Sequence, residues 1–198
     1  RMTNGLVYGS QQIDSFLLER IDVLKGPSSV LYGLANPGGV IALSSKRPHD
    51  REIRLVEVEG GSNDYKRGSF DFGGRLDEQG QWLYRLVGTG YDGGSQQRGT
   101  ESDRYALAPS LTWVPNQETS LTLFGLFQKE PDSGAITSIP LEGTVFGNPN
   151  GHLPTDAFPG EPHFNAIKRE QKSFGYDFSH MLNDDWSFSS TARYVDVD

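Results

Sequence analysis

The residues that could carry out catalysis are few and widely separated. The chain has four histidines and no cysteine, which excludes cysteine nucleophiles, thiolate zinc sites and disulfide scaffolds. The histidines have no spacing typical of a Ser/His/Asp triad. The stretch Lys25–Ser29 contains Gly and Ser but lacks the full phosphate-loop pattern. We therefore predict that the protein is not an enzyme and holds neither a cofactor nor a metal.

The other polar pairs have structural explanations. Asp77–Glu78 and Asp184–Asp185 lie in short polar stretches, where turn formation and capping account for them. His152 and His163 fall in the longest predicted loop, and a surface metal site there is not predicted. His180 shares the parity of neighbouring aromatic residues near a strand end, which indicates an interfacial position.

Composition narrows the class of protein. The 198 residues carry a formal charge of −8 and include 24 Gly, 3 Trp, 8 Tyr and 11 Phe. So many aromatic residues are not typical of a disordered acidic tail, and the acidic balance disfavours nucleic acid as a partner. The longest apolar stretch, Leu121–Phe127, is shorter than the roughly 18 residues that a transmembrane helix needs.

After Pro48, apolar and polar residues alternate with a period of two, the pattern of β-strands with two different faces. Tyr105, Leu107, Leu111 and Trp113 share one parity, with Ala and Thr opposite. The pattern predicts about seven strands of roughly ten residues each, long for a globular strand but sufficient to cross a bilayer with tilt. They are centred on 53–58, 70–76, 82–86, 105–113, 121–127, 174–180 and 186–194.

The connections between these strands differ in length. Residues 76–81, 114–118 and 182–185 form short turns, whereas 92–103 and 130–168 are long, and only 60–65 is short on the long side. Alternation of short and long connections is typical of outer-membrane barrels, as are aromatic residues at strand ends. A soluble β-sandwich, for example an adhesin or lectin-like binding module, is the alternative. Strand length and loop asymmetry favour the barrel, and the last strand ends in pattern, as expected of a fragment.

Residues 1–48 have a different organisation, in which short apolar runs are separated by Gly and Pro. We predict strands at Glu19–Leu24 and Gly39–Ser45, with a helical turn at Pro27–Tyr32. The sequence thus divides into a small α+β unit, residues 1–48, and a β-sheet unit, residues 49–198.

Several motifs resemble one family. Part of the first unit resembles the end of the plug domain of TonB-dependent outer-membrane siderophore receptors, at Glu19–Gly33, Pro37–Ile41 and Ser45–Pro48. Later segments resemble the ferrichrome-type, hydroxamate branch, at Arg104–Pro109, Phe127–Pro131 and Leu153–Asp156. The resemblance implies a plug lodged in a barrel of about 22 strands, with the end of the plug and strands 1–7 present here. The signal peptide, TonB box and other strands would lie outside this sequence.

The implied function is TonB-dependent uptake of a ferric siderophore across the outer membrane of a Gram-negative bacterium. The siderophore's own oxygen atoms would fill the coordination shell of iron, so the receptor needs no metal ligands of its own. The implied partners are the siderophore, the TonB complex, outer-membrane lipid, and phage or bacteriocins at the long loops. A non-hydroxamate siderophore or cobalamin is an alternative cargo.

The resemblance also implies ligand-binding residues. Tyr8 matches an aromatic contact at the plug apex, while Val7 replaces a neighbouring aromatic residue of the family. Ile136 and Ser138 stand where the ferrichrome-type receptor has Tyr and Trp contacts on the barrel wall. Loss of two aromatic residues would reshape the pocket and leaves another hydroxamate, such as a ferrioxamine, as the cargo.

The resemblance also implies that a group of charged residues holds the plug in the barrel. Lys25 stands where the family often has an Arg that pairs with carboxylates of the barrel wall, and Glu19 and Arg20 would join the same network. A buried cation needs such partners. Solvated charges on a short strand are the alternative.

Overall fold

The computed structural model describes residues 12–26, 38–133, 138–161, 164 and 167–198. It contains two antiparallel sheets, one of two strands and one of seven strands that follow one another in chain order. The fold is therefore mainly β, as the alternating pattern predicts. Among the described residues, no helix is long and apolar enough to span a membrane.

The N-terminal segment, residues 12–26 and 38–50, is a hairpin preceded by one 3₁₀ turn. The turn spans Ser15–Leu17, and the Asp14 carboxylate caps it by accepting a hydrogen bond from the Phe16 amide at 2.9 Å. Strand β1, Leu18–Lys25, pairs with β2, Gly39–Ser45. Both predicted strands are present, and the predicted helical turn at Pro27–Tyr32 lies outside the described residues.

The seven-stranded sheet, here called the wall, confirms the predicted number of strands. Each strand pairs with the next one along the chain. The strands are β3 (Ile53–Gly60), β4 (Lys66–Arg75), β5 (Trp82–Asp92), β6 (Ser102–Trp113), β7 (Thr119–Ser133), β8 (Arg169–Met181) and β9 (Ser187–Val197). The two sheets fall on either side of Pro48, and the domain boundary there stays a prediction.

One face of the wall, the outward face, carries large apolar side chains that remain accessible. Tyr105 is 52% exposed, Leu123 48% and Phe174 50%. Phe127 and Phe174 pack edge to face at a centroid distance of 5.0 Å, and Trp82 stacks on Trp113 at 5.8 Å. An apolar face of this kind is suited to lipid.

The opposite, inward face is polar and buried under the N-terminal segment. Side chains there that are less than a tenth exposed include Ser69, Asp71, Arg85, Thr89, Thr112, Gln128, Glu130, Gln171 and Ser173. The wall thus has polar groups inside and apolar groups outside, the reverse of a soluble protein, in which the apolar face is buried.

The connections at one edge of the wall are short, and those at the other edge are longer except for residues 61–65 between β3 and β4. Short turns join β4 to β5, β6 to β7 and β8 to β9, while the longest connection follows β7. In the first turn the Asp77 carboxylate accepts hydrogen bonds from the amides of Gln81 and Trp82, at 3.2 and 2.9 Å. In the last, the Asn183 side chain caps the amides of Asp185 and Trp186. Polar capping therefore accounts for these turns.

Candidate functional site: the face between the N-terminal segment and the wall

The N-terminal segment packs on the inward face of the wall through a small group of apolar side chains, Ile13, Phe16 and Leu17. Leu17, at the end of the 3₁₀ turn, is only 2% exposed and belongs to a small core with Val87, Ala106 and Leu126 of the wall. The apolar part of this contact is therefore small. Ionic and hydrogen-bonded contacts around this core supply most of the specific interactions between the N-terminal segment and the wall.

The first ionic group, here called the Asp14 cluster, lies at the start of the segment. Asp14 is 3% exposed. Its carboxylate pairs with the guanidinium groups of Arg67 on β4 at 2.8 Å and Arg104 on β6 at 3.3 Å. Arg67 also donates hydrogen bonds from Nε to the hydroxyls of Ser69 and Thr89, at 3.2 and 3.1 Å. The wall thus orients this cation independently of Asp14.

The Asp14 cluster continues across the wall through Glu130, which is 1% exposed. Glu130 pairs with Arg104 at 2.9 Å and with Arg169 at 3.2 Å, and it accepts a hydrogen bond from the Gln128 side chain at 2.7 Å. The cluster therefore sets three guanidinium groups against two carboxylates in a mostly buried environment.

The main chain of the segment is held at the same level. Gln128 donates to the Gln12 carbonyl at 3.0 Å and accepts from the Asp14 amide at 3.2 Å. Gln171, on the neighbouring strand β8, donates to the same Gln12 carbonyl. Because two buried side-chain amides bind the backbone of residues 12–14, the path of the chain at this point is fixed by the wall.

The second ionic group, here called the Asp71 cluster, lies where β2 ends. Asp71 and Arg85 form a bidentate pair with both distances at 2.9 Å, and their side chains are 3% and 5% exposed. Lys46 of the N-terminal segment binds the same carboxylate at 2.9 Å, and Glu19 reaches Arg85 at 3.2 Å. Bidentate, charge-assisted contacts of this kind are among the strongest polar contacts in proteins.

Two cations next to β2 also lie over aromatic rings. Lys46 Nζ is 4.1 Å from the centre of the Phe16 ring, and the Arg47 guanidinium is 4.2 Å from the centre of the Phe124 ring. Arg47 in addition pairs with Asp177 of β8 at 2.7 Å. Cation–π contacts add attraction where water is partly excluded, so residues 46 and 47 connect the hairpin to β4, β7 and β8.

The residues predicted to hold the plug in place have different surroundings. Glu19 makes the contact with Arg85 given above. Arg20 pairs with Asp22 on the same strand at 2.7 Å, with Arg20 69% exposed. Lys25, at the end of β1, is exposed. The locking role of all three stays a prediction.

The structure describes only one of the three residues that were predicted to bind ligand. Tyr8 and Ile136 are outside the described residues, and Ser138 is exposed at the start of the long connection after β7. The wall and the N-terminal segment meet through Asp14, Lys46 and Arg47, which sequence reasoning did not select. Charged residues on the strand face opposite the apolar residues, such as Asp71 and Arg85, could have indicated such contacts from the sequence.

The polar side chains of this site hold the N-terminal segment against the wall. In the part of the chain that the structure describes, no group of three or more His, Cys, Asp or Glu residues is placed to hold a metal ion. His180 lies near the end of β8, where its Nδ1 is 2.9 Å from the Thr119 hydroxyl. The polar groups of the inward face instead bind the chain's own N-terminal segment.

Comparison with known proteins accounts for this arrangement. A family model described as the TonB-dependent receptor plug domain matches residues 2–40. The chain is 39% identical over 193 residues to the ferrichrome outer membrane transporter/phage receptor of Escherichia coli K12, covering 97% of this chain. It is 38% identical over 194 residues to the ferrioxamine receptor of Yersinia enterocolitica, covering 98% of this chain. The chain belongs to the TonB-dependent receptor family.

The alignments also define how much of a receptor is present. The chain spans about a quarter of these two relatives, 26% and 27% of their lengths. Its structure superimposes on the closed form of the ferric-catecholate import receptor Fiu from E. coli K12 with a TM-score of 0.78 and 27% identity, over 95% of this chain and 27% of that one. The plug match thus covers much of the N-terminal segment, which is called the plug segment below, and the wall has the fold of the corresponding strands of that receptor.

Proposed function

We propose that the full-length protein takes up a ferric siderophore across the outer membrane of a Gram-negative bacterium, driven through the TonB complex. The observation that carries this proposal is the reversed polarity of the wall, with the plug segment bound to its polar face. Such a wall is suited to a lipid bilayer on one side and to a filled lumen on the other. The relatives given above are named as receptors or transporters, and they do not favour a soluble binding module.

We further propose that the cargo is of the hydroxamate type. Two relatives that align over nearly the whole chain are named for ferrichrome and ferrioxamine. The chain departs from the aromatic contacts of the ferrichrome-type receptor at Ile136 and Ser138, which favours a ferrioxamine over ferrichrome itself. A non-hydroxamate cargo remains the second candidate, since a metal-pseudopaline receptor of Pseudomonas aeruginosa is 32% identical over 91% of this chain.

Equilibrium binding to the purified full-length receptor distinguishes these cargoes. Ferrioxamine B, ferrichrome and a ferric catecholate would each be titrated while tryptophan fluorescence is followed. We expect the two hydroxamates to bind more tightly than the catecholate, with ferrioxamine B the tightest. Tighter binding of the catecholate would contradict the hydroxamate assignment.

Tyr8, Ile136 and Ser138 are proposed to contact the siderophore. A tyrosine suits a ligand with both apolar arms and amide oxygens, because its ring is apolar and its hydroxyl donates a hydrogen bond. Ile136→Trp and Ser138→Trp in the full-length protein are expected to change the ratio of the affinities for ferrioxamine B and ferrichrome. Unchanged affinities and an unchanged ratio would contradict their role in the pocket.

The other partners follow from the same proposal. TonB would bind a TonB box N-terminal to this segment, and iron would travel only as part of its siderophore complex. Phage or bacteriocins would bind the long connections. One of the relatives carries the words phage receptor in its name.

A further inference from the structure

The Asp14 cluster contains features of an anion site that the wall builds by itself. Arg67 Nε is fixed by the hydroxyls of Ser69 and Thr89, which themselves lie 2.7 Å apart. Arg104 is fixed by Glu130 at 2.9 Å and lies over the Tyr91 ring at 5.5 Å. The two guanidinium groups are thus oriented by wall residues, and each has an N–H group left for another acceptor.

The acceptor that fills this position comes from the plug. One oxygen of the Asp14 carboxylate binds Arg67 at 2.8 Å, and the other lies 3.3 Å from Arg104. A carboxylate held between two guanidinium groups is a recurrent mode of anion recognition. Asp14 is 3% exposed, so the position is shielded from solvent while the plug segment is in place.

The charges of the wall favour an anion at this point. Arg67, Arg104 and Arg169 face one buried carboxylate of the wall, Glu130, and Arg67 also lies within the electrostatic influence of Glu59 on β3. Removal of Asp14 would leave Arg67 without the anion that it contacts in the cluster. An uncompensated buried cation is costly, so an exogenous anion of the right shape would gain by replacing Asp14.

We infer that Arg67 and Arg104 form a carboxylate-binding site on the inner wall, which the plug's own Asp14 occupies in this state. The ligand class is a small carboxylate or a carboxylate borne by a larger molecule. In a state in which the plug segment leaves the wall, as the proposed uptake requires, the two guanidinium groups face the lumen and can bind a carboxylate there. This consequence rests on the proposed function, whereas the site itself rests only on the docked plug segment.

Chemical rescue of Asp14→Ala in the full-length receptor tests the site without any siderophore. We expect the substitution to lower the midpoint of thermal unfolding of the purified protein. Sodium formate should then raise the midpoint in a saturable manner, as a ligand of the folded state does, and by more than sodium chloride at equal ionic strength. The wild-type midpoint should show no formate-specific rise.

Two control variants assign the rescue to the vacated position. Asp14→Asn retains an oxygen that can cap the 3₁₀ turn and fills the space, so its midpoint should fall without a formate-specific recovery. The double variant Asp14→Ala with Arg67→Gln should lose the recovery because one guanidinium group is missing. An equal formate effect in either control, or formate acting no better than chloride on Asp14→Ala, would overturn the inference.

Refolding provides a second readout for a poorly folding variant. If Asp14→Ala is recovered only as unfolded protein, its refolding yield in formate is compared with the yield in chloride. A formate-specific increase that Arg67→Gln abolishes supports the site, and equal yields in the two salts contradict it. Because no cargo is used, failure of this test would not contradict the proposed uptake. Likewise, a lack of uptake would not contradict the carboxylate-binding site.

Discussion

At the scale of single residues, the ion pairs of the plug segment are buried in some places and exposed in others. Asp71 is 3% exposed and is shared by Arg85 and Lys46, whereas the pair of Arg20 with Asp22 is open to solvent. A buried ion pair is costly to break because the remaining partner stays charged and desolvated. Exposed pairs contribute little because water screens them.

We therefore expect Asp71→Asn to destabilise the full-length receptor strongly. Loss of the carboxylate charge leaves two buried cations inadequately paired, which costs about 3–5 kcal/mol in comparable cases. Urea unfolding of the receptor in lipid vesicles measures the change in the free energy of unfolding.

Asp22→Asn is the matched control for this substitution. It removes the same charge from the exposed pair with Arg20, so the expected loss is below about 1 kcal/mol. Equal effects of the two substitutions would contradict the view that burial determines the contribution of these charges.

A second prediction at this scale concerns pH and two outer connections. Arg98 donates to the Asp156 carboxylate at 2.6 and 3.0 Å, and hydrogen bonding to Arg98 lowers the pKa of Asp156 below its ordinary value. Because the pKa is lower in the folded protein, the contact is fully present above the ordinary aspartate pKa and is lost as pH falls through the lowered value. Neutral and mildly acidic solutions should leave it intact.

Spin labels on the two connections, residues 93–101 and 138–161, measure this contact. We expect the distribution of distances between the labels to stay constant from neutral pH down to the ordinary range of the aspartate pKa. The distribution should broaden only under more acidic conditions. Asp156→Asn should abolish that acidic step. A step near neutral pH, or a step that persists in the variant, would contradict the assignment to Asp156.

At the scale of the strands, glycines allow side chains of neighbouring strands to approach closely. A Cβ added at Gly175 on β8 would lie 2.6 Å from the Ala192 carbonyl oxygen and 2.6 Å from the Phe124 ring. Phe124 is the ring over which Arg47 of the plug lies. The small size of residue 175 therefore preserves both the β8–β9 pairing and a contact between plug and wall.

Gly175→Ala is expected to destabilise the receptor by about 1–3 kcal/mol, the usual cost of overpacking. Gly68→Ala on β4 is the control, because nothing lies within 4 Å of the added Cβ there. Urea unfolding under identical conditions compares the two. If Gly175→Ala were as stable as Gly68→Ala, the close approach of Phe124 would not constrain the wall.

The strands were largely predictable, whereas the contacts between the sheets were not. Period-two alternation located all seven wall strands, although the alternation slips at Val56 in β3 and is weaker in β7, where Phe124 and Leu126 lie on the second face. It placed the end of β7 near Phe127, but the strand continues to Ser133 through Lys129 and Glu130. Those polar residues interrupt the apolar pattern without interrupting the pairing. No local sequence pattern marked Asp14 as a contact residue, because its role depends on Arg67 and Arg104, which lie far along the chain.

At the scale of the whole molecule, the reversed polarity of the wall is the main physical feature. Apolar residues such as Leu123 and Phe174 are exposed, while Arg85, Asp71 and Glu130 are buried. Strands β3 and β9 each have one neighbour within the described part of the chain. Exposed strand edges pair readily with further strands, which is consistent with a segment of a larger barrel.

Replacing an outward apolar residue by a charged one should therefore destabilise the protein where that residue faces a bilayer. We expect Leu123→Arg to cost up to about 2–4 kcal/mol in the full-length receptor, depending on its depth in the bilayer. Leu141→Arg, in the outer connection where Leu141 is already 60% exposed, is the control and should change little. Unfolding in lipid vesicles measures both, and equal small effects would contradict a lipid-facing position for Leu123.

Cellular uptake tests most directly the proposal that the complete protein imports a ferric hydroxamate. Cells that lack their own hydroxamate receptors would express the full-length protein and receive ferrioxamine B loaded with radioactive iron, with and without a functional TonB complex. We expect uptake that requires both the receptor and TonB. Uptake that is independent of TonB, or an absence of uptake by a receptor present in the outer membrane, would contradict it.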